Sequence, residues 1–95
     1  MAARPGLSQP NAAPERVTAP YAGFKGPYDV AIAPDATFAL VANRRGNNVG
    51  RIDLAGGGTV TLPYAGFTKP AGVAISPDAT FALVANFNGN VGRID

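Results

Sequence analysis

The sequence predicts an all-β protein made of two repeated units, each with four short antiparallel strands. Residues 17–53 reappear as residues 60–95, with 28 identities in 36 aligned positions and Asn48 as the single residue without a counterpart. Turn-forming Pro-Asp, Gly-Asn and Gly-rich stretches separate the short apolar segments of each unit. A helical interpretation fails because 12 Gly and nine Pro interrupt the apolar segments before three helical turns could form.

Each unit contributes the same four strands, labelled A to D by their order in the predicted sheet. Strand A is rich in β-branched residues, and a Pro-Asp-Ala-Thr turn leads from it to strand B. Along the chain the predicted order is D-A-B-C-D-A-B-C. The eight strands cover residues 16–19, 29–33, 38–43, 49–53, 59–62, 72–76, 81–86 and 91–95.

Small apolar residues occur on both faces of strands A and B, namely Ala31, Ala33, Ala39, Ala42 and their repeats. This pattern predicts a sheet that is covered by protein on both faces. A two-layer sandwich leaves one face of each sheet to solvent, whereas the stacked blades of a β-propeller bury both. We therefore expect β-propeller blades of four antiparallel strands.

The chain divides into three predicted segments. Residues 1–15 are rich in Pro and polar residues and are expected to form a disordered N-terminal tail. Residues 16–58 form the first repeat. Residues 59–95 supply strand D of the first blade and then strands A, B and C of the second.

Composition excludes several kinds of site. The 95 residues include no Cys and no His, which removes disulfides, thiolate or imidazole catalysis and the usual zinc sites. The net charge of +2 comes without a cluster of basic residues, and no apolar run is long enough to span a bilayer. We therefore expect neither nucleic acid nor membrane as a partner, and no cofactor. The cellular compartment stays open.

Three segments, Pro70–Asp78, Leu83–Asn86 and Asn90–Asp95, resemble the repeats of NHL and YVTN-type β-propellers. The resemblance covers residues 17–95 and implies the propeller fold, while it says little about activity because such folds host many functions. Repeats of this kind commonly carry Gly after the Pro-Asp of the turn, where this sequence has Ala36 and Ala79. If that position is left-handed, Ala costs about 1 kcal/mol relative to Gly, so the turn type stays open.

In propellers of this kind the outermost strand of one blade is often supplied by the other end of the chain. The resemblance implies that a strand like residues 17–19 completes the second blade, either from another copy or from a continuation of the chain. A ring of about four to eight blades needs roughly two to four copies of a two-blade chain. Further blades, gained by self-association or chain continuation, are therefore the first expected partners.

The eight differences between the repeats are clustered. Six of them fall in the D-to-A connection, at the start of strand A or in the B-to-C loop, which emerge on one rim of an antiparallel blade. The turns on the opposite rim are identical. Binding residues held on a constant frame produce such a pattern, and so does neutral drift in loops. The candidate partner-binding residues on the varied rim are Lys25, Tyr28, Asp29, Arg44, Arg45, Lys69, Phe87 and Asn88.

Tyr, Phe and Arg are frequent anchors of protein interfaces. The leading functional hypothesis is therefore a non-catalytic binding or scaffold module that recognises a protein or peptide through this rim. The alternative is a fragment of a metal-dependent hydrolase, because gluconolactonase-like propellers resemble this fold and hold a divalent cation with Asn, Asp and Glu. The single Glu is Glu15, in the tail, and the sequence assigns no catalytic, cofactor or metal residue. Enzymatic activity is left open, with the binding module preferred.

Overall fold

The structure is a computed structural model that describes residues 16–95, and these residues form two antiparallel β-sheets. The first sheet has the strand order β1-β2-β3-β4, and the second has the order β5-β6-β7. The predicted tail, residues 1–15, lies outside the described residues. The strands are β1 Pro27–Ile32, β2 Phe38–Asn43, β3 Asn48–Asp53, β4 Thr59–Ala65, β5 Pro70–Ile75, β6 Ala82–Asn86 and β7 Val91–Ile94.

The all-β prediction is confirmed, but the first strand of the predicted order is absent. Residues 16–19 belong to neither sheet and are exposed to solvent. A strand needs an edge with free backbone groups, and the outer edge of β3, the nearest strand C, is already occupied by β4. No helix within residues 16–95 has the length and hydropathy needed to cross a lipid bilayer.

Both repeats keep the same register between their first two strands. One extra residue bulges out of each pair, Tyr28 in β1 and Ala71 in β5. The side-chain amide of Asn43 donates to Asn48 Oδ1 at 2.9 Å, as the amide of Asn86 donates to Asn90 Oδ1 at 2.9 Å.

These paired hydrogen bonds correct the sequence alignment. Asn48 is the structural counterpart of Asn90, although sequence comparison left Asn48 unmatched. Asn47 and Gly89 both have positive φ, at 54° and 108° respectively. The additional residue of the first repeat therefore lies within the connection 44–47.

The Pro-Asp-Ala-Thr turn uses a left-handed alanine. The backbone N–H of Ala36 donates to Ala33 O at 2.8 Å, and Ala36 has a φ of 63°. Asp35 is not among the residues with positive φ, so a type II turn is excluded, and a type I turn followed by a left-handed residue remains. Ala79 repeats this geometry with a φ of 61°.

Alternation along β2 gives the first sheet two faces. We call the face that carries Leu40 and Ala42 the back face, and the face that carries Ala39 and Val41 the front face. The faces of the second sheet are named by repeat equivalence, so its front face carries Ala82 and Val84 and its back face carries Leu83 and Ala85. The core between the sheets forms where the back face of the first sheet packs on the front face of the second. Its buried members are Leu40, Ala42, Val49, Val73, Ala82 and Val84.

A phenylalanine from the connection before the first strand of each repeat covers a strand glycine. A Cβ on Gly50 would lie 2.7 Å from Phe24 Cε1, and a Cβ on Gly92 would lie 2.6 Å from Phe67 Cε1. Only glycine permits such close contact between the ring and the strand backbone. Phe24 covers the front face of the first sheet, while Phe67 belongs to the core between the sheets.

Candidate binding rim

Four chain segments meet at the end of the molecule where β1 and β5 begin. We call this end the variable rim, and it comprises residues 25–29, 44–47, 66–72 and 87–90. The opposite end carries the identical Pro-Asp-Ala-Thr turns, and we call it the constant rim. All eight residues predicted as partner-binding lie on the variable rim, because the antiparallel order returns these connections to the same end of both sheets.

Arg44 connects the two sheets through aromatic contacts. Its Cζ lies 4.5 Å from the centre of the Phe87 ring and 5.3 Å from the centre of the Tyr28 ring. Tyr28 bulges out of the first sheet, and Phe87 follows the last residue of β6 in the second. The guanidinium is therefore held by two rings from different sheets, and each such contact contributes about 0.5–1 kcal/mol at an exposed site.

A second connection between the sheets is a hydrogen bond from the edge of β5. The backbone N–H of Val73 donates to Asp29 Oδ2 at 3.0 Å. The repeat equivalent of Asp29 is Gly72, which has no acceptor to offer. Asp29 therefore satisfies a backbone donor of the neighbouring sheet, and its role in partner binding stays a prediction.

Lys69 occupies an unusual backbone conformation for a residue with a side chain. Its φ is 47°, and Gly26 has a φ of 62° at the same position of the first repeat. Both residues accept a hydrogen bond through their carbonyl oxygen, Lys69 from the N–H of Phe87 at 3.1 Å and Gly26 from that of Arg44 at 2.9 Å. The fold thus requires a left-handed residue here, and only the second repeat places a lysine in it.

Three basic side chains line an open cleft of about 360 Å³ on the variable rim. They are Arg44, Arg45 and Lys69, and Asn47 completes the lining. The N–H of Lys69 donates to Asn47 Oδ1 at 2.9 Å, which fixes the loop 44–47 to the loop that precedes β5. No carboxylate lines the cleft. Its electrostatic character is therefore that of a site for an anionic group.

Asn47 was missed as a site residue. The signal that could have identified it was the extra residue in the first B-to-C connection, which sequence alignment had placed at Asn48. Lys25 and Asn88, both predicted as partner-binding, are exposed on the same rim but do not line the cleft. Lys25 contributes its backbone, since its carbonyl oxygen accepts from the N–H of Gly46 at 3.2 Å.

A buried amide lies at the end of β2, next to the variable rim. Asn43 is fully buried, and its Oδ1 has no hydrogen-bond partner among the described residues. In the second repeat the corresponding oxygen of Asn86 accepts from the N–H of Thr68 at 3.2 Å. The two repeats therefore differ in hydrogen bonding below their rims as well as on them.

Charge is segregated between the two rims. Four of the seven Lys and Arg residues in the described part of the chain lie on the variable rim. Four of its five acidic residues, Asp35, Asp53, Asp78 and Asp95, lie instead at the constant end of the strands, where Arg51 and Arg93 offset part of their charge, and Asp29 is the acidic residue of the variable rim. Exposed potentials of opposite sign at the two ends favour an anionic partner at the variable rim.

The aspartates of the constant turns are ordinary turn formers. The Thr37 hydroxyl donates to Asp35 Oδ1 at 2.7 Å, and this bond, with one from the Thr37 N–H, lowers the pKa of Asp35 below its usual value. The Thr80 hydroxyl lowers the pKa of Asp78 in the same way, with a further contribution from the Ser76 hydroxyl. Both carboxylates are thereby occupied in closing the turn.

The metal-dependent alternative requires a cluster of oxygen ligands. Within residues 16–95, no three His, Cys, Asp or Glu residues are close enough together to hold a metal ion. The acidic side chains at the constant end serve local hydrogen bonds, such as that from the Gly56 N–H to Asp53 Oδ1 at 2.9 Å.

The fold is β-rich and similar to that of a propeller protein. Among solved structures, the chain is similar to hydrazine synthase from Kuenenia stuttgartiensis, a β-propeller-containing protein, with a TM-score of 0.69 and 26% sequence identity. It is also similar in fold to a functionally unknown protein from Desulfotomaculum acetoxidans DSM 771, with a TM-score of 0.56 and 22% identity.

These matches cover 82% and 73% of this chain, but only 22% and 26% of the two matched structures. The chain thus corresponds to about a quarter of the length of either structure. No protein-family model matches the chain, and no curated protein matches it significantly.

Proposed function

We propose that the two sheets are neighbouring blades of a β-propeller of the NHL or YVTN type, and that the chain is a non-catalytic binding module. The repeat of the strand pattern and the likeness to a propeller-containing structure support the blade assignment. The module recognises an acidic segment of a protein or peptide through the variable rim.

The observation that carries this proposal is the cleft lined by Arg44, Arg45 and Lys69. Arg44 is in cation–π contact with two aromatic rings, and these contacts favour one orientation of its charge. Arg45 and Lys69 are exposed and have no acidic partner in the cleft. A carboxylate-bearing peptide supplies the missing charge, and the exposed rings of Tyr28 and Phe87 offer apolar contact beside it.

Lys69 gives the second support. A lysine in a left-handed conformation is less stable than the glycine that the first repeat uses at the same position. Residues held in sparsely populated backbone conformations cluster at functional sites. The proposal assigns a role in binding to the Lys69 ammonium, as a contact for the ligand carboxylate.

The test uses a fluorescently labelled oligo-glutamate peptide as the probe, with an oligo-lysine peptide of equal length for comparison. Fluorescence anisotropy should show binding of the acidic peptide, and it is measured at low salt because salt strongly screens exposed charge pairs. Any binding of the basic peptide to the acidic constant end should be unaffected by substitutions on the variable rim. The double variant Arg45→Ala/Lys69→Ala should bind about tenfold more weakly, since each lost ion pair is worth up to about 1 kcal/mol.

A matched control separates the rim from net charge. Arg16 and Arg93 are exposed and lie off the variable rim, so Arg16→Ala/Arg93→Ala removes the same total charge. Its affinity for oligo-glutamate should stay within about twofold of the original chain. Equal losses in the two double variants, or no binding by the original chain, would overturn the proposal.

A further inference from the structure

The contact between the two sheets joins unlike faces. One face of each sheet is therefore left without a partner sheet. Within the chain, the back face of the first sheet packs on the front face of the second. The front face of the first sheet carries nearly the same residues as the front face of the second, and the back face of the second carries nearly the same residues as the back face of the first, because the repeats are nearly identical. We propose that the two unpartnered faces bind each other in different copies of the chain, in a head-to-tail contact.

The uncovered back face consists of residues whose counterparts are buried. Leu40 is 3% exposed and Val49 is 0% exposed where the first sheet meets the second. The equivalent residues Leu83 and Val91 are 42% and 65% exposed. Large apolar side chains at this level of exposure on one continuous face mark an interaction surface.

On the front face of the first sheet, Ala39, Val41 and Ile52 are buried beneath Phe24, Leu54 and Val60, and the part that belongs to β1 is uncovered. Val73 is 9% exposed in the core between the sheets, and Ile75 packs against that core. Their counterparts Val30 and Ile32 are 56% and 63% exposed. A second copy that placed its back face here would bury them as the first sheet buries Val73 and Ile75.

The two front faces also have the same surface shape. Phe24 lies over Gly50 in the first sheet as Phe67 lies over Gly92 in the second, with ring-to-Cβ distances of 2.7 and 2.6 Å for an added Cβ. Phe67 is part of the surface that the first sheet already fits. The front face of the first sheet is therefore preformed for the same kind of partner.

The variable rim adds a polar element to this contact. Within the chain, Arg44 of the first sheet stacks on Phe87 of the second, at equivalent positions of neighbouring sheets. In a head-to-tail contact, Phe87 of one copy comes beside Arg44 of the next. Arginine and phenylalanine then alternate along the rim, and every arginine has an aromatic ring on either side.

The segment that failed to form the predicted first strand gains a partner in the same arrangement. Residues 17–24 and 60–67 differ only at Ala19 and Leu62. The second copy of this segment pairs with β3 as β4 and then crosses to the start of β5 in the neighbouring sheet. By repeat equivalence, residues 17–21 of one copy lie along the free edge of β7 in the preceding copy.

The contact joins unlike faces, so each copy offers one of each and the assembly either closes into a ring or continues as a filament. Closure with about four to eight blades requires roughly two to four copies. A symmetric dimer built from two front faces or two back faces is a different arrangement, and the test below separates the two.

The test uses one charge on each face of the 95-residue chain. Val30→Glu spoils the front face, and Leu83→Glu spoils the back face, at side chains that are more than two-fifths exposed and outside the buried core. Light scattering should show an assembly for the original chain and the 9.6 kDa monomer for each variant alone. Mixing the two variants should give a heterodimer of twice that mass, because one variant keeps an intact back face and the other an intact front face.

Formation of the heterodimer also shows that both variants are folded. Amide hydrogen exchange should slow for residues 17–21 of the Leu83→Glu copy and for residues 91–94 of the Val30→Glu copy when the two are mixed. A monomeric original chain would overturn the inference. So would a mixture that stays monomeric, or one variant that dimerises with itself while the other does not.

Discussion

Replacing Lys69 by Gly should raise the free energy of unfolding. Lys69 has a φ of 47°, in the left-handed region that costs an L-residue about 1–2 kcal/mol. Glycine avoids this cost, but its larger loss of conformational entropy on folding costs about 0.5–1 kcal/mol. The expected net gain for Lys69→Gly is therefore about 0–1.5 kcal/mol, centred on about 0.75 kcal/mol. In a domain of this size about 1 kcal/mol shifts Tm by roughly 4–8 °C, so at the centre of this range Tm should rise by about 3–6 °C.

Urea unfolding of the original chain, Lys69→Gly and Lys69→Ala measures this effect at equal m-values. All three chains carry Leu83→Glu, so that association between copies contributes nothing to stability. Lys69→Ala removes the ammonium but keeps the Cβ, and its stability should match that of the original within about 0.5 kcal/mol. Both variants should lose the same affinity for oligo-glutamate. If Lys69→Gly is no more stable than Lys69→Ala, the reasoning about strain at this position is wrong.

Two further predictions concern hydrogen bonding and packing away from the variable rim. Folding lowers the pKa of Asp35 from its ordinary 3.8, so this carboxylate stabilises the fold above that pH, and the contribution is lost as the pH falls through the lowered pKa. Thr37→Ala should raise the pKa of Asp35 in an NMR titration and leave that of Asp78 unchanged. If the pKa of Asp35 does not change, the Thr37 hydroxyl is not what lowers it. Gly92→Ala places a Cβ 2.6 Å from Phe67 Cε1. This contact should lower the free energy of unfolding in urea by about 1–3 kcal/mol. A change below about 0.5 kcal/mol would show that the Phe67 ring is free to move.

The sequence was sufficient to predict most of the strands. Two copies of one pattern reduce the chance that an alternation arises by accident, and the predicted residues 38–43 coincide with β2. The predicted strand at residues 16–19 failed, because β-propensity describes a segment while a strand needs an edge. The edge of β3 is occupied by β4, and the resemblance to propeller repeats had assigned this segment to a blade of another copy or of a continuation of the chain.

The composition of the rim was also predictable, since differences between repeats mark loops that the common frame does not determine. The roles of individual residues were not. Asp29 accepts from the N–H of Val73 in the other sheet, a contact that no sequence pattern indicated, while its role in partner binding stays a prediction. Arg44 reaches Phe87, which is 43 positions away in sequence, through a contact that only the packing of the sheets creates. Contacts between sheets depend on tertiary geometry, which local patterns do not encode.

Left-handed residues occur at both ends of the molecule, but they carry different information. Ala36 and Ala79 have φ values of 63° and 61°, so both repeats accept the same strain in the same turn. Strain shared by two equivalent copies is explained by the turn itself, because the backbone must reverse there in each repeat. At the variable rim the backbone requirement is again shared, yet the first repeat meets it with Gly26 and the second with Lys69. The turn cannot explain that difference, since glycine satisfies it at lower cost. What distinguishes the two positions is the side chain: Lys69 lines the basic cleft, and under the proposed function contact with an anionic ligand is the reason to keep a lysine there.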